Sequence, residues 1–425
     1  MESVVILDGN STYCKLSTPN SQSIEIIIFH PYANENGALN MTVTLGIEGT
    51  AWAASAAIFD SNSNTVHIET IPYLPDSGGL HPKEAAEHMR KTLPQVIETI
   101  FTKLETPPDA VAFSRGPGLG PCLRICATAA RALSGTFNVP LIGVNHMLAH
   151  LEVGRHFSEF STPVCLNASG ANAHLLGYYD GYYRVLGETM DTGVGNALDK
   201  FARHVGWAHP GGPKIEKTAL DGNFFDLPYI VKGMDFSFSG LTTAAITAYD
   251  QGHPIEDVCF SLQETIFSIL AEVSERALSL LHCDEFILGG GVGNNARLQD
   301  ILESMCTDRG AEYFAPDPRF LSDNAGMIAI LGSYMFDVGD TISIEDSHVL
   351  SNFRPDMVKV TWPVPSRTLP PVPQTTIQGS EALVEFDTDT VWKKRLPKPY
   401  RNPDMDIRLR RHRTNAEARL THEAR

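Results

Sequence analysis

The sequence predicts an α/β fold in which helices pack over largely buried strands. Three observations carry that reading. Short apolar strands alternate with helical periodicity along most of the chain, and glycine-rich turns stand at the junctions between them. The composition is that of a globular protein, 43% hydrophobic and 20% charged over 425 residues. At about 150 residues per domain this length predicts two or three domains, each able to bury a core.

Taken in chain order, residues 1–40 are rich in Asn, Ser and Thr, carry one apolar run from Ile26 to Phe29, and share no period with the segment beyond Met41. They read as an extension expected to be disordered, with Met41 as the natural start, in preference to a regulatory arm. Val43, Leu45 and Ile47 then alternate with Thr42, Thr44 and Gly46 as a strand. Gly49 and Thr50 turn, and Ala53 to Phe59 returns as a second strand. His81-Pro-Lys-Glu opens a helix running to about Leu104, with Pro94 a candidate kink. Ala110 to Ser114 is a buried strand, Arg115 to Pro121 a turn, and Cys122 to Thr136 a helix of small residues. Pro140 to Val144 is a strand leading into a helix at Asn145. Val258, Leu262, Ile266, Leu270, Val273, Ala277 and Leu281 mark one long helix, and Glu285 to Leu288 a strand that enters Gly289-Gly-Gly-Val-Gly. Six prolines fall between Pro355 and Pro373, so residues 351–378 read as a semi-rigid linker. Residues 379–425 are a separate unit, too short to be stable alone.

Charge is unevenly spread. The net charge is −17, yet Val391 to Arg425 holds 11 Lys and Arg against 4 Asp and Glu. That tail carries +7, and residues 1–390, with 22 basic against 46 acidic groups, carry −24. The acidic body discourages a polyanionic partner, whereas the basic tail invites one. Seven Cys at scattered positions, without a C-x-x-C pair, fit a reducing compartment and argue against a thiolate zinc site. No apolar run approaches the roughly 18 residues of a bilayer span. The N-terminus lacks the pattern of a secretory signal, and a cytoplasmic protein is expected.

The sharpest chemical signal is Asn145-His146-Met-Leu-Ala-His150. On a helix, two His at i and i+4 share one face, the spacing at which two imidazoles hold one metal ion. A pair of structural histidines is the competing reading. A zincin-type protease needs Glu after the first His, and that position is Met147. A third ligand must come from elsewhere, and Asp323 lies in a loop before an apolar helix at Met327 to Met335. On spacing alone Asp323 reads as an N-cap, a role that does not exclude ligation. Glycine turns at Ile47 to Thr50, Ser169 to Asn172, Gly211 to Lys214 and Gly289 to Asn295 let bare backbone approach a phosphate or nucleotide held between two lobes. Neither a G-x-G-x-x-G fingerprint nor a Walker A loop is present.

Many motifs in one order resemble the tRNA N6-adenosine threonylcarbamoyltransferase family, in its archaeal and eukaryotic branch, the catalytic subunit of the KEOPS complex. They include Leu45-Gly-Ile-Glu-Gly-Thr, Ser114-Arg-Gly-Pro-Gly-Leu-Gly-Pro, Val144-Asn-His-Met-Leu-Ala-His, Gly195-Asn-Ala-Leu-Asp-Lys-Phe, His209-Pro-Gly-Gly-Pro-Lys-Ile-Glu, Gly290-Gly-Val-Gly-Asn-Asn-Ala-Arg-Leu and Asp323-Asn. The likeness covers residues 41–362. It implies an actin/hexokinase/Hsp70-like fold, with RNase H-like cores in an N-terminal lobe (41–160) and a C-terminal lobe (161–350) around a nucleotide cleft. It implies transfer of threonylcarbamoyl from threonylcarbamoyl-AMP to N6 of the adenosine next to the anticodon in tRNAs reading ANN codons. His146, His150 and Asp323 would hold one divalent metal, Fe(2+) ahead of Zn(2+), and the cleft would take threonylcarbamoyl-AMP or ATP/AMP. Asn167, Ala168, Ser169, Gly170 and Ala171 would line the carbamoyl-adenylate pocket, Asp199 and Glu216 would contact the ribose, Gly212 the nucleotide and Asn295 the adenine. The family usually has Tyr at the position of Asn167, so the fourth ligand stays open between the Asn167 carbonyl, water and substrate. Catalysis would be metal-assisted, with no protein nucleophile.

The same likeness implies tRNA as partner, together with other KEOPS subunits: a small dimerisation subunit and the kinase or its regulator. The tail, through Val391-Trp-Lys-Lys-Arg and Arg413-Thr-Asn-Ala-Glu417, resembles the opening of that complex's small atypical kinase, which some archaea fuse to the transferase. Residues 379–425 would then be a partial kinase N-lobe, with Lys393 the strand lysine and Glu417 its helix partner for ATP. No catalytic-loop Asp or D-F-G equivalent occurs after them within the 425 residues, so no phosphoryl transfer is expected. Two other readings stand beside the transferase: an O-sialoglycoprotein endopeptidase-like metalloprotease, and a metal-free scaffold.

Overall fold

The computed structural model describes residues 5–8, 11–17, 23–28, 42–75, 81–365, 376–386 and 391–423. It divides into two units, Met1–Met41 and Thr42–Arg425. In the first, β1 (Val5–Asp8), β2 (Ser11–Ser17) and β3 (Ser23–Ile28) form an antiparallel sheet in that order. Composition alone predicts no order there, yet the apolar run of β-branched isoleucines lies within β3, where such residues favour extended backbone. The remainder of that extension, and the expected start at Met41, lie outside the described residues.

The second unit opens with β4 (Val43–Glu48), β5 (Ala53–Asp60) and β6 (Thr65–Pro72), followed by α1 (Pro82–Phe101), β7 (Ala110–Gly116), α2 (Gly120–Phe137) and β8 (Leu141–Asn145). The five strands make one sheet in the order β6-β5-β4-β7-β8, antiparallel through the first three and parallel from β4 onward. The alternation read in β4 separates two buried faces rather than core from solvent. Leu45 and Ile47 join Met89, Leu93 and Val96 of α1 and Cys126 and Ala130 of α2 in one core. Truncating Met89 there to Ala would cost about 2–5 kcal/mol. Pro94 interrupts neither the helix nor the core, because it sits on the exposed face of α1.

Next come α3 (His146–Ser158), β9 (Val164–Ala168), β10 (Ala173–Tyr179), β11 (Tyr182–Glu188), α4 (Val194–His204), α5 (Gly212–Ala219), β12 (Val231–Lys232) and β13 (Asp235–Phe236). They are followed by α6 (Ser239–Asp250), α7 (Ile255–Leu280), β14 (Glu285–Gly289), α8 (Ala296–Arg309), β15 (Glu312–Phe314), α9 (Pro318–Leu321) and α10 (Ala325–Asp337). A second sheet runs β11-β10-β9-β14-β15, again antiparallel through three strands and then parallel. The same order twice in one chain is a duplicated RNase H-like core, the two-lobed arrangement of actin, hexokinase and Hsp70.

The expected lobe boundary at 350 does not match the packing. Helix α10 covers the first sheet, filling the face left open by the small residues of β4 and β7. A Cβ on Gly46 would stand 2.4 Å from the Ala325 carbonyl oxygen, and one on Gly332 2.3 Å from Ala112 Cβ. The chain just after α10 stays with that lobe, where Ile342 bridges to Leu141, and crosses to the second sheet only later, where Lys359 meets Tyr182.

The expected linker also begins later than its prolines suggest. Lys359 pairs with Tyr182, and the Trp362 indole is buried, donating to Glu152 Oε1 at 2.9 Å. Beyond it, β16 (Thr376–Gln378), β17 (Ala382–Phe386) and β18 (Val391–Arg395) form an antiparallel sheet, and α11 (Pro403–Glu423) closes the chain.

This tail is packed on the second lobe through charge. Helix α7 carries Glu272 and Glu275, both buried. Lys398 Nζ reaches Glu275 Oε1 at 2.5 Å, the Tyr400 hydroxyl donates to Glu275 Oε2 at 2.9 Å, Arg413 lies 2.9 Å from Glu272, and Arg401 also bonds Glu272. Glu381 of the tail accepts from Arg276 of α7 and from Arg395 and Arg413 at 2.8 and 2.9 Å. The basic excess of the tail thus meets an acidic face of α7.

Candidate metal centre and nucleotide cleft

Helix α3 starts at the end of β8 because the Asn145 side chain caps it, accepting from the Met147 and Leu148 amides at 3.0 and 3.2 Å. That cap brings His146 and His150 to the cleft wall in the first two turns, with ring centroids 4.9 Å apart and planes at 87°. Asp323, from the loop before α10, lies against both: its Oδ1 is 3.3 Å from each Nε2. The three donor atoms all lie within 4.8 Å of one another. Spacing alone makes Asp323 the helix N-cap. The cap is instead Asn324, whose Oδ1 accepts the Met327 amide at 3.0 Å, which leaves the Asp323 carboxylate free to face the histidines.

The donor set fits a divalent cation. Bonds of ~2.0–2.2 Å in tetrahedral or octahedral array separate neighbouring donors by roughly 3.0–3.5 Å. Two imidazoles and one carboxylate suit iron or zinc better than magnesium. The electrostatics agree. Burial disfavours a charged His146, but Glu48 and Asp323 outweigh it and raise the ring to about 10. Burial keeps His150 below its usual value. Burial also opposes ionisation of Asp323, yet His146 and His150 hold its carboxyl well below the usual range. The pocket is built around positive charge.

Sequence reasoning missed two residues that support these donors, Glu48 at the end of β4 and Trp52 in the turn that follows it. Glu48 Oε2 lies 2.9 Å from His146 Nδ1, and its Oε1 accepts the Thr50 amide and hydroxyl at 2.8 and 2.6 Å. Trp52 Nε1 donates to Asp323 Oδ2 at 3.0 Å. A carboxylate at the end of an otherwise apolar strand was the one available signal for Glu48.

The residues expected around the nucleotide form a chain of contacts beside this centre. Asn167, on β9, is fully buried; its Oδ1 has no partner among the described residues and lies 2.4 Å from where a Gly290 Cβ would stand. Gly290 has φ +86°, so glycine is required there twice over. The turn through Ala168, Ser169, Gly170 and Ala171 is tied to the start of α4, where the Gly195 amide donates to Ser169 at 3.2 Å and the Asn196 amide to Gly170 at 2.9 Å. On α4, Asp199 accepts from His209 Nδ1 and from the Gly211 amide, each at 2.7 Å, next to Gly212. Glu216 accepts the Ala296 amide at 2.8 Å, and Asn295 caps α8 while donating to Gln263 Oε1 at 3.1 Å. Asn294 reaches Ser322 at 3.3 Å, joining this ring to the loop that carries Asp323. Lys393 and Glu417 also meet, at 2.5 Å, on the tail and away from these residues.

Two RNase H-like sheets with a metal-suited cluster at a glycine-lined cleft define an enzyme of the actin, hexokinase and Hsp70-like class. A crystal structure of HypF from T. kodakarensis superposes with a TM-score of 0.53 at 15% identity, over 73% of this chain and 50% of that one, a likeness of fold alone. The model of the tRNA N6-adenosine threonylcarbamoyltransferase family matches residues 64–330, and the chain belongs to that family. A protein of Haloarcula marismortui named "Probable bifunctional tRNA threonylcarbamoyladenosine biosynthesis protein" is 61% identical over 400 residues, 90% of this chain and 73% of its own length. One of the same name from Methanospirillum hungatei is 52% identical over 382 residues, covering 90% and 72%.

Proposed function

We propose that this cleft transfers threonylcarbamoyl from threonylcarbamoyl-AMP to N6 of the adenosine next to the anticodon in tRNAs reading ANN codons. N6 attacks the carbamoyl carbon, the bond from that carbon to the phosphate oxygen breaks, AMP leaves with the electron pair, and the amine loses a proton. The observation that carries the reading is the convergence of His146, His150 and Asp323 beside the close approach of Gly290 to the unpartnered Asn167 Oδ1. These three would hold the metal, iron ahead of zinc, which supplies Lewis-acid stabilisation of negative charge. Asp199 and Glu216, each fixed by backbone amides, orient ribose hydroxyls, Gly212 borders the nucleotide and Asn295 the adenine. The turn at 168–171 gives backbone access to the carbamoyl-phosphate, and no side chain is needed as nucleophile.

The substrate RNA, a small dimerisation subunit, and a kinase or its regulator complete the proposed assembly. No helix among the described residues is long and apolar enough to cross a membrane, and we place the reaction in the cytoplasm. The Lys393–Glu417 pair supports reading residues 379–425 as part of a small kinase N-lobe that contacts ATP. The test is incubation with tRNA, threonine, bicarbonate, ATP and a carbamoyl-adenylate synthase, followed by nucleoside mass spectrometry. Threonylcarbamoyl-adenosine should form with the parent and not with His146→Ala. Product from both, or from neither, overturns the reading.

A further inference from the structure

We propose that Trp52 is a positioning residue that makes Asp323 a one-oxygen ligand, a role resting on the reading of His146, His150 and Asp323 as a metal site. The carboxylate is divided between two tasks. Its Oδ1 stands 3.3 Å from both imidazole Nε2 atoms, while its Oδ2 is held by the Trp52 indole N–H at 3.0 Å. A carboxylate whose second oxygen accepts a directed hydrogen bond presents one oxygen to a cation. The Trp52 backbone is in turn anchored, since its carbonyl accepts the Tyr73 amide at 2.6 Å.

Trp52 lies four residues after Glu48, whose carboxylate orients His146. The end of β4 and the turn after it therefore set the direction of two of the three donors, although those donors come from α3 and from the loop before α10. The third, His150, has a buried Nδ1 with no partner among the described residues. Beyond its contact with Asp323 that ring has no outer hydrogen-bond partner, so the end of β4 and the turn after it are the source of outer directional control at this centre.

The test compares cobalt(II) binding by the parent, Trp52→Phe and Trp52→Gln in the full chain. Phe keeps an aromatic ring without the N–H. Gln places an amide N–H the same three bonds from Cβ without the ring. Trp52→Phe should weaken cobalt affinity about ten- to a hundredfold and shift the visible cobalt spectrum as the second carboxylate oxygen enters the coordination sphere. Trp52→Gln should keep the parent spectrum. Parent-like affinity and spectrum in Trp52→Phe, or equal losses in both variants, overturn the role of the N–H. A parent that binds no cobalt overturns instead the three-ligand reading beneath it.

Discussion

The enclosed carboxylate of Glu48 lies 2.9 Å from the Nδ1 of His146, across 98 residues of sequence. Such a pair fixes the imidazole tautomer and directs Nε2 toward the centre, and its loss typically weakens metal binding about 10–100-fold. Glu48→Gln keeps the shape and removes the charge. It should lower bound metal, read by elemental analysis after dialysis, with the fold retained by circular dichroism.

His146→Ala and Asp323→Ala should each abolish stoichiometric metal and product formation together. Metal content and nucleoside mass spectrometry on the same preparations check this, and full turnover by a metal-free variant would contradict it.

Lys398 and Glu275 are a buried pair, 5% and 2% exposed. Burial outweighs Lys398 and Tyr400 and leaves the Glu275 carboxyl above its usual value. Lys398→Met leaves that carboxylate only the Tyr400 hydroxyl and Arg309, 3.6 Å away, and should cost about 1.5–3 kcal/mol. Lys398→Met combined with Glu275→Leu should recover only part of the loss, because the buried Tyr400 hydroxyl and Arg309 then lose their acceptor. Chemical denaturation of the four proteins in the cycle reads this out.

Burial alone would raise the Glu381 carboxyl, but Arg413, Arg276 and Arg395 outweigh it and hold the group at about 2, against 4.5 for a free carboxyl. Because the folded value lies below the unfolded one, its stabilisation is complete above about 4.5 and is lost as pH falls toward 2. Urea midpoints measured across that window should fall with pH, and Glu381→Gln should flatten the fall.

Deleting residues 376–423 should change the salt dependence of tRNA binding only slightly. Most cations of the tail are spent on Glu272, Glu275, Glu381, Glu417, Asp406 and Asp226. Among the described residues of the tail, Lys394 and Arg411 are exposed and in no ion pair. The slope of log affinity against log salt should therefore shift by about two or less. A shift of about five would mean that the tail leaves α7 to bind RNA.

Local patterns were legible and long-range ones were not. The i, i+4 spacing singled out His146 and His150, which the structure brings together with Asp323, and the strand and helix periods placed most elements of both lobes. Asp323 was half-legible, because two acceptors stand in a row before α10 and spacing does not say which one caps. Trp52 carried no signal of its own and Glu48 only that of a carboxylate ending a strand, since their partners lie 271 and 98 residues away. The opposite charges of body and tail were countable, but not that Glu272 and Glu275 sit on one buried face of α7. Prolines misled for a simple reason: they forbid sheet interior, not packing, and the segment through Trp362 is packed.

Residues 365 and 376 belong to one polypeptide, and that covalent continuity changes what the ionic seam on α7 must achieve. Two separate molecules meeting there would have to overcome both the dehydration of several charges and the loss of free diffusion. Held on one polypeptide, the two surfaces see each other at an effective concentration in the millimolar range. A seam too weak to assemble from dilute solution suffices here, and a single proteolytic cut between those positions should let the basic fragment drift away on dilution.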